Sequence, residues 1–210
     1  MTRSIAISSA AAMLAPLMVE PAAAHHVIGG AMPQTWGQGL LSGLGHPIIG
    51  LDHFAAVVAV GCLASVHPAA RPLALGYVLA MVVGAAIHVQ GAAIPATEML
   101  VALSVLALGA ALQWREVISP PALLGLFAVA GLIHGYALGE SIAGAEPPPL
   151  YAYFVGLAVI QSAVALAAVE LASWLSAREG APVSVRVRLI GATIIGIALA
   201  ALAKELVPGA

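Results

Sequence analysis

Residues 43–53 read G-L-G-H-P-I-I-G-L-D-H and lead into an apolar run that continues to Val66. The segment places two imidazoles and a carboxylate, from His46, Asp52 and His53, at the start of that run. Ionisable side chains are rare inside membranes, where they face a bundle interior or a cavity and mark functional sites. The stretch therefore predicts a membrane-embedded helix with a polar site at one end.

The composition predicts a polytopic membrane protein. Of the 210 residues, 62% are hydrophobic and 8% are charged, whereas soluble domains carry roughly 25% charged residues. The mean hydropathy is +1.06. A formal net charge of -2 provides no basic surface for phosphates, which excludes nucleic acid as a partner. The expected partners are membrane lipid and a metal ion, and the sequence leaves open whether the chain forms a homo-oligomer.

The first 24 residues have the pattern of a signal peptide. Arg3 supplies a positive charge, residues 5–19 are mostly small and apolar, and Ala22–Ala24 form a small-residue cleavage site. We therefore expect residues 1–24 to be removed and residues 25–210 to form a single transmembrane domain. A retained first helix is the alternative, but prolines and an acid interrupt the apolar run, which is short for a span of about 20 residues.

Six apolar segments follow, separated by proline, glycine or charged residues. Each is near the length that crosses a hydrocarbon core of roughly 30 Å. The predicted spans are residues 47–66, 72–89, 94–114, 120–138, 150–177 and 187–207. The predicted fold class is thus all-α, a polytopic membrane protein with six transmembrane helices after a cleaved signal peptide. The Gly-rich residues before the first span are predicted to form an outer re-entrant or interfacial piece.

The arginines predict the orientation. Arg71, Arg115 and a group at positions 178, 186 and 188 lie in the loops that join an odd-numbered span to the next even-numbered one. Cytoplasmic loops carry an excess of Lys and Arg. We therefore predict a protein of the bacterial inner membrane whose N-terminus, after signal cleavage, and C-terminus are both periplasmic.

Depth counting predicts where the polar side chains meet. With a rise of about 1.5 Å per residue, His53 lies about 10 Å below the outer rim of span one, and His134 on span four is level with it. Because Pro47 disfavours helical geometry at the residue before it, we expect His46 to be the N-cap of span one. The candidate metal ligands, all on the outer side, are His25, His26, His46, Asp52, His53, His88, His134 and Glu140.

Imidazole together with carboxylate suits nickel, cobalt, zinc, copper or iron in the divalent state. We expect His25 or His26 to capture the ion outside, and His46 and His88 to pass it inward. Asp52, His53 and His134 would then hold it, with Glu140 at the mouth. Deeper in the membrane, Gln161 either lines the path or bonds across helices, and Glu170 is a candidate carboxylate on the exit side. No prosthetic group is expected beyond the ion itself.

Two motifs resemble those of the HupE/UreJ family of bacterial nickel and cobalt permeases. They are H-P-I-I-G-L-D-H at residues 46–53 and H-G-Y-A-L-G-E at residues 134–140. The resemblance extends over the whole chain, including the cleaved signal and a histidine soon after it. It implies six spans and metal ligands at His46, Asp52, His53, His134 and Glu140. The resemblance also implies that the metal is nickel or cobalt. The residues alone indicate only a divalent first-row metal.

The function predicted from these features is transport. We expect a permease, not an enzyme, that moves Ni2+ or Co2+ from periplasm to cytoplasm through a His/Asp/Glu site in the outer half of the membrane. One alternative is an intramembrane zinc hydrolase, which would also need buried His and Asp with a position left for water. No serine or acidic general base stands out beside the cluster, and no catalytic residue is assigned. The other alternative is a metal-sensing accessory subunit.

Overall fold

The structure, a computed structural model, describes residues 31–179 and 185–207. Within these ranges the chain is a bundle of α-helices joined by short loops and single 3-10 turns. The helices are α1 Trp36–Ile49, α2 Leu51–Ala64, α3 Ala70–Val89, α4 Thr97–Ala111, α5 Pro120–Gly139, α6 Pro147–Glu179 and α7 Val185–Leu206. The expected signal peptide and the candidate ligands His25 and His26 lie outside the described residues.

Several helices are long and apolar enough to cross a membrane. Within the described residues there are four such helices, α3, α5, α6 and α7, or five spans if α1 and α2 together make a broken one. Helix α4 is shorter, at 15 residues. The all-α, multi-pass character of the prediction is therefore confirmed, and the count of six spans remains a prediction.

The chain bends sharply at Gly50, between α1 and α2. The two helices meet at 79°, and Gly50 itself is extended, with φ -72° and ψ 102°. Helix α1 continues through His46 and Pro47 to Ile49, and Gly50 N–H donates to His46 O at 3.0 Å. The prediction that His46 is an N-cap is therefore wrong, because Gly50 occupies that position before α2.

Tight packing against α6 explains why α1 continues past its proline. A Cβ on Gly39 or Gly43 would collide with backbone atoms of α6, those of Pro149 and Tyr153 respectively. Small residues allow helices in membranes to approach this closely. Since Gly61 on α2 meets the α6 backbone in the same way, both halves of the bent pair pack against one long helix.

Glycines also set the contact between α3 and α5, which positions His134. On α5, a Cβ at Gly131 would collide with Tyr77 O, and one at Gly135 with the backbone of Met81. On α3, a Cβ at Gly84 would collide with Leu132 O. His134 lies between two of these contact points, so its depth in the bundle is fixed by backbone packing.

This packing predicts the effect of a single methyl group on α5. We expect Gly135→Ala to destabilise the purified protein by about 1–3 kcal/mol, the usual cost of overpacking. Gly125→Ala, on the same helix but with nothing within 4 Å of its Cβ position, should be neutral or slightly stabilising, because alanine favours helix. Thermal unfolding in detergent compares the two, and equal melting temperatures would contradict the close approach.

Several basic side chains gather at one end of the bundle, here called the arginine end and defined by Arg71 and Arg115. Arg71 forms a salt bridge with Glu170 at 2.7 Å. The carboxylate that the sequence suggested for the exit side of the path is therefore paired with an arginine. Arg115, predicted as a loop charge, is fully buried. Its guanidinium donates to Cys62 O at 3.1 Å and Ser65 Oγ at 2.9 Å. It also donates to Ser176 Oγ at 3.0 Å, so it joins α2 to α6.

Candidate metal site

Two histidines from different helices meet at the other end of the bundle. His53 lies in the first turn of α2 and His134 in the second half of α5, and their Nδ1 atoms are 2.8 Å apart. The side chains are 8% and 0% exposed, respectively. The depth count predicted that these residues would be level, and the structure places them in direct contact.

Ser104 on α4 lies between a backbone carbonyl and the ring of His134. Its hydroxyl donates to Val101 O at 2.8 Å, and its oxygen lies 2.8 Å from His134 Nε2. When the hydroxyl gives its single proton to the carbonyl, His134 Nε2 carries a hydrogen and donates to Ser104. In a neutral ring, His134 Nδ1 then bears the lone pair and accepts from Nδ1–H of His53.

Asp52 connects the histidine pair to an open groove. Its Oδ1 accepts a hydrogen bond from the backbone N–H of His53 at 2.8 Å. The carboxylate also lines a groove of about 680 Å³ between the start of α2, the start of α4 and the end of α7. Glu98, Lys204 and Glu205 line the same groove. The buried pair therefore lies beside a surface with an excess of acidic groups.

His46 completes the polar cluster. It is half-buried in the last turn of α1, and its ring centroid lies 6.3 Å from that of His53 in an edge-on arrangement. On the far side of the pair, the ring of Tyr77 is centred 6.3 Å from that of His134. The structure thus brings His46, Asp52, His53 and His134 near one another, and their role as metal ligands stays a prediction.

Two other predicted ligands lie outside this ring cluster. The ring of His88 packs against Tyr136 at a centroid distance of 4.4 Å, and the Tyr136 hydroxyl donates to Ala92 O at 2.6 Å. Glu140 is exposed at the C-cap of α5. Their proposed roles in handing over the ion and forming the mouth remain predictions.

The sequence analysis missed Ser104 at this site, and it also missed Tyr77, whose ring packs next to the site without a polar contact to it. Ser104 stands in the apolar run L-V-A-L-S-V-L, where a serine more often bonds its own helix, as this one also does. Among residues 31–179 and 185–207, no three His, Cys, Asp or Glu side chains lie close enough together to hold a metal ion as they stand. The arrangement therefore offers two nitrogens in contact, with the remaining polar groups near by.

A multi-pass helical bundle with buried, paired imidazoles beside an aspartate is a membrane protein with a polar intramembrane site. The profile of the family described as HupE / UreJ protein matches residues 12–201, and the chain belongs to this family. It is 35% identical over 103 residues to Protein HupE of Rhizobium leguminosarum bv. viciae. That match covers 48% of this chain and 54% of the relative, about half the length of each. No solved structure matches the chain.

Proposed function

We propose that this protein is a permease that carries Ni2+ or Co2+ from the periplasm to the cytoplasm across the bacterial inner membrane. Its family is generally associated with nickel and cobalt transport and is not a class of enzymes. The observation that carries the proposal is the direct approach of His53 Nδ1 to His134 Nδ1, at 2.8 Å. The transported ion is the substrate, and no further cofactor is invoked.

The spacing of the two nitrogens suits one ion between them. Imidazole nitrogens bind zinc at 2.0–2.1 Å, so two such ligands on one ion are about 2.9 Å apart at a right angle and about 3.3 Å apart at the tetrahedral angle. The pair in the structure, at 2.8 Å, is close to the right-angle spacing and about half an ångström short of the tetrahedral one. To bind one ion together, the rings would have to lose the proton between them and turn both Nδ1 lone pairs toward the ion.

The hydrogen bond to Ser104 prepares one ring for this exchange. His134 already presents its Nδ1 lone pair to the pair and donates Nε2–H to the hydroxyl, which is how metal-ligating histidines are usually held. His53 has to transfer its proton from Nδ1 to Nε2, or lose it, before it can bind. Loading is therefore coupled to proton movement at His53, and we expect it to weaken as the pH falls.

Two imidazole ligands give weak binding, which suits transport. An ion in transit must be held well enough to enter and loosely enough to leave. Imidazoles bring no charge, so the carboxylate of Asp52 offsets the charge of the ion. The groove beside it, with Glu98 and Glu205 against Lys204, attracts cations from one side of the bundle.

The contact of Ser104 with His134 raises the hydrolase alternative again. A serine nucleophile needs its hydroxyl proton directed at the base. Here the hydroxyl also lies 2.8 Å from Val101 O, a carbonyl that competes with His134 for its single proton. The geometry therefore supports a role for Ser104 in orienting His134, as transport requires.

Metal uptake by proteoliposomes tests the proposal. Vesicles containing the purified protein should accumulate labelled Ni2+ or Co2+ faster than protein-free vesicles, and Ca2+, which prefers oxygen ligands, should not be taken up. A protein that binds the ion without moving it would favour the accessory or sensor alternative. Hydrolysis of a substrate with no ion movement would favour the enzyme.

A further inference from the structure

Gln161 on α6 is buried without a hydrogen-bond partner. It is 1% exposed, and neither Nε2 nor Oε1 has a partner among the described residues. Nearly all buried polar atoms in proteins are hydrogen-bonded, and exceptions call for an explanation such as water or an ion. An amide whose oxygen and nitrogen both lack a partner therefore indicates that a water molecule or an ion binds there.

Tyr77 on α3 presents the same feature. Its side chain is fully buried, and its hydroxyl has no partner among the described residues. Tyr153, also fully buried, gives a direct comparison, because its hydroxyl donates to Leu138 O at 2.7 Å. Unlike Tyr153, Tyr77 therefore has a buried hydroxyl without a hydrogen-bond partner among the described residues. Its ring lies next to that of His134.

Counted along their helices, the backbone positions of both residues lie inward of the histidine pair, toward the arginine end. Gly61 on α2 meets Ala165 on α6, and Gln161 precedes Ala165 by about one turn, or about 6 Å. Four residues before Gly61 on α2 is Val57, so Gln161 is level with Val57. Val57 follows His53 by four residues and lies about one turn inward of it. On the other side, the backbone carbonyl of Tyr77 meets Gly131, which is about one turn inward of His134.

We propose that Tyr77 and Gln161 form an inner station on the ion path, directly after the histidine pair. This inference rests on the proposed transport function. An ion that leaves two imidazoles regains water, and a phenol and an amide can hydrogen-bond to those waters from the walls of the bundle. Neutral oxygen and nitrogen groups guide a hydrated cation without trapping it, as a buried carboxylate would.

Separate measurements of binding and uptake test this station. We expect Gln161→Leu to lower the initial rate of Ni2+ uptake about tenfold and Tyr77→Phe severalfold. Equilibrium Ni2+ binding to the purified protein should stay within twofold of wild type, because the histidine pair is intact. Removing unsatisfied groups should also leave both variants at least as thermally stable as the parent. The matched control, Tyr153→Phe, loses satisfied hydrogen bonds and should lower stability while leaving the uptake rate per folded molecule within twofold.

Uptake at the wild-type rate in both Gln161→Leu and Tyr77→Phe would overturn the station while leaving the permease proposal standing. Loss of Ni2+ binding in parallel with uptake would also overturn it, since the residues would then belong to the histidine site. If wild-type vesicles take up neither metal, the transport function fails, and the station fails with it. Should Gln161→Leu not fold, Tyr77→Phe decides alone.

Discussion

His134→Gln is expected to abolish uptake of Ni2+ and Co2+ by proteoliposomes, with a loss of at least about 100-fold. The substitution removes one of the two nitrogens that would hold the ion, and even the loss of groups that only support a ligand costs about 10–100-fold. Glutamine keeps a polar side chain that can still bond to Ser104, so the bundle should fold. His53→Gln should be equally severe, because the two rings act together.

His67→Gln is the matched control for the histidine pair. His67 lies at the arginine end, in the loop after α2, beside a cavity lined by Arg71 and Glu170. It is half-buried, so the exchange is of the same kind at a place distant from the site. Uptake should stay within twofold of wild type. Equal losses in His67→Gln and His134→Gln would mean that imidazole loss damages the fold and that the pair has no special role.

Asp52→Asn is expected to reduce uptake nearly as far as the histidine substitutions. The change keeps the shape of the side chain and its oxygen, which can still accept from the backbone N–H of His53, but removes the negative charge. A divalent ion in a desolvated site needs a charge to balance it, and the rings supply none. We therefore expect a loss of about 100-fold in uptake rate with a melting temperature close to that of wild type.

Glu98→Gln provides the comparison for Asp52→Asn, because both carboxylates line the same groove. Glu98 is exposed, and an exposed charge mainly raises the local concentration of cations. Its loss should therefore reduce uptake only severalfold, and less at high ionic strength. Wild-type uptake in Asp52→Asn, at matched protein amounts, would indicate that another carboxylate such as Glu140 balances the ion.

The meeting of His53 and His134 was predictable from the sequence. Helix rise is constant, consecutive spans alternate in direction, and the arginines indicate which ends lie together, so depth follows from counting residues. The prediction needed no side-chain detail. For the same reason it could not separate the residues in contact from His88, which is near the same rim but packs on Tyr136.

Features that depend on tertiary packing were beyond the sequence. The rule that disfavours helix before proline was overridden at His46 by the close contact of Gly39 and Gly43 with α6. Ser104 has no charge and no motif, so only its position against His134 reveals it. Arg115 matches the charge pattern of a cytoplasmic loop, so the sequence predicted it to be a loop residue. Its guanidinium is buried because it hydrogen-bonds to acceptors on α2 and α6, which only the tertiary structure shows.

The break at Gly50 has an electrostatic consequence for the empty protein. Two helix dipoles end there with opposite signs, the negative end of α1 and the positive end of α2. Asp52 lies in the first turn of α2, where the dipole stabilises a carboxylate by about 0.3–1 kcal/mol. The last carbonyls of α1, beyond His46, have no partners within that helix. In the proposed transport cycle, the positive end of α2 would therefore offset part of the charge of Asp52 after the ion has left.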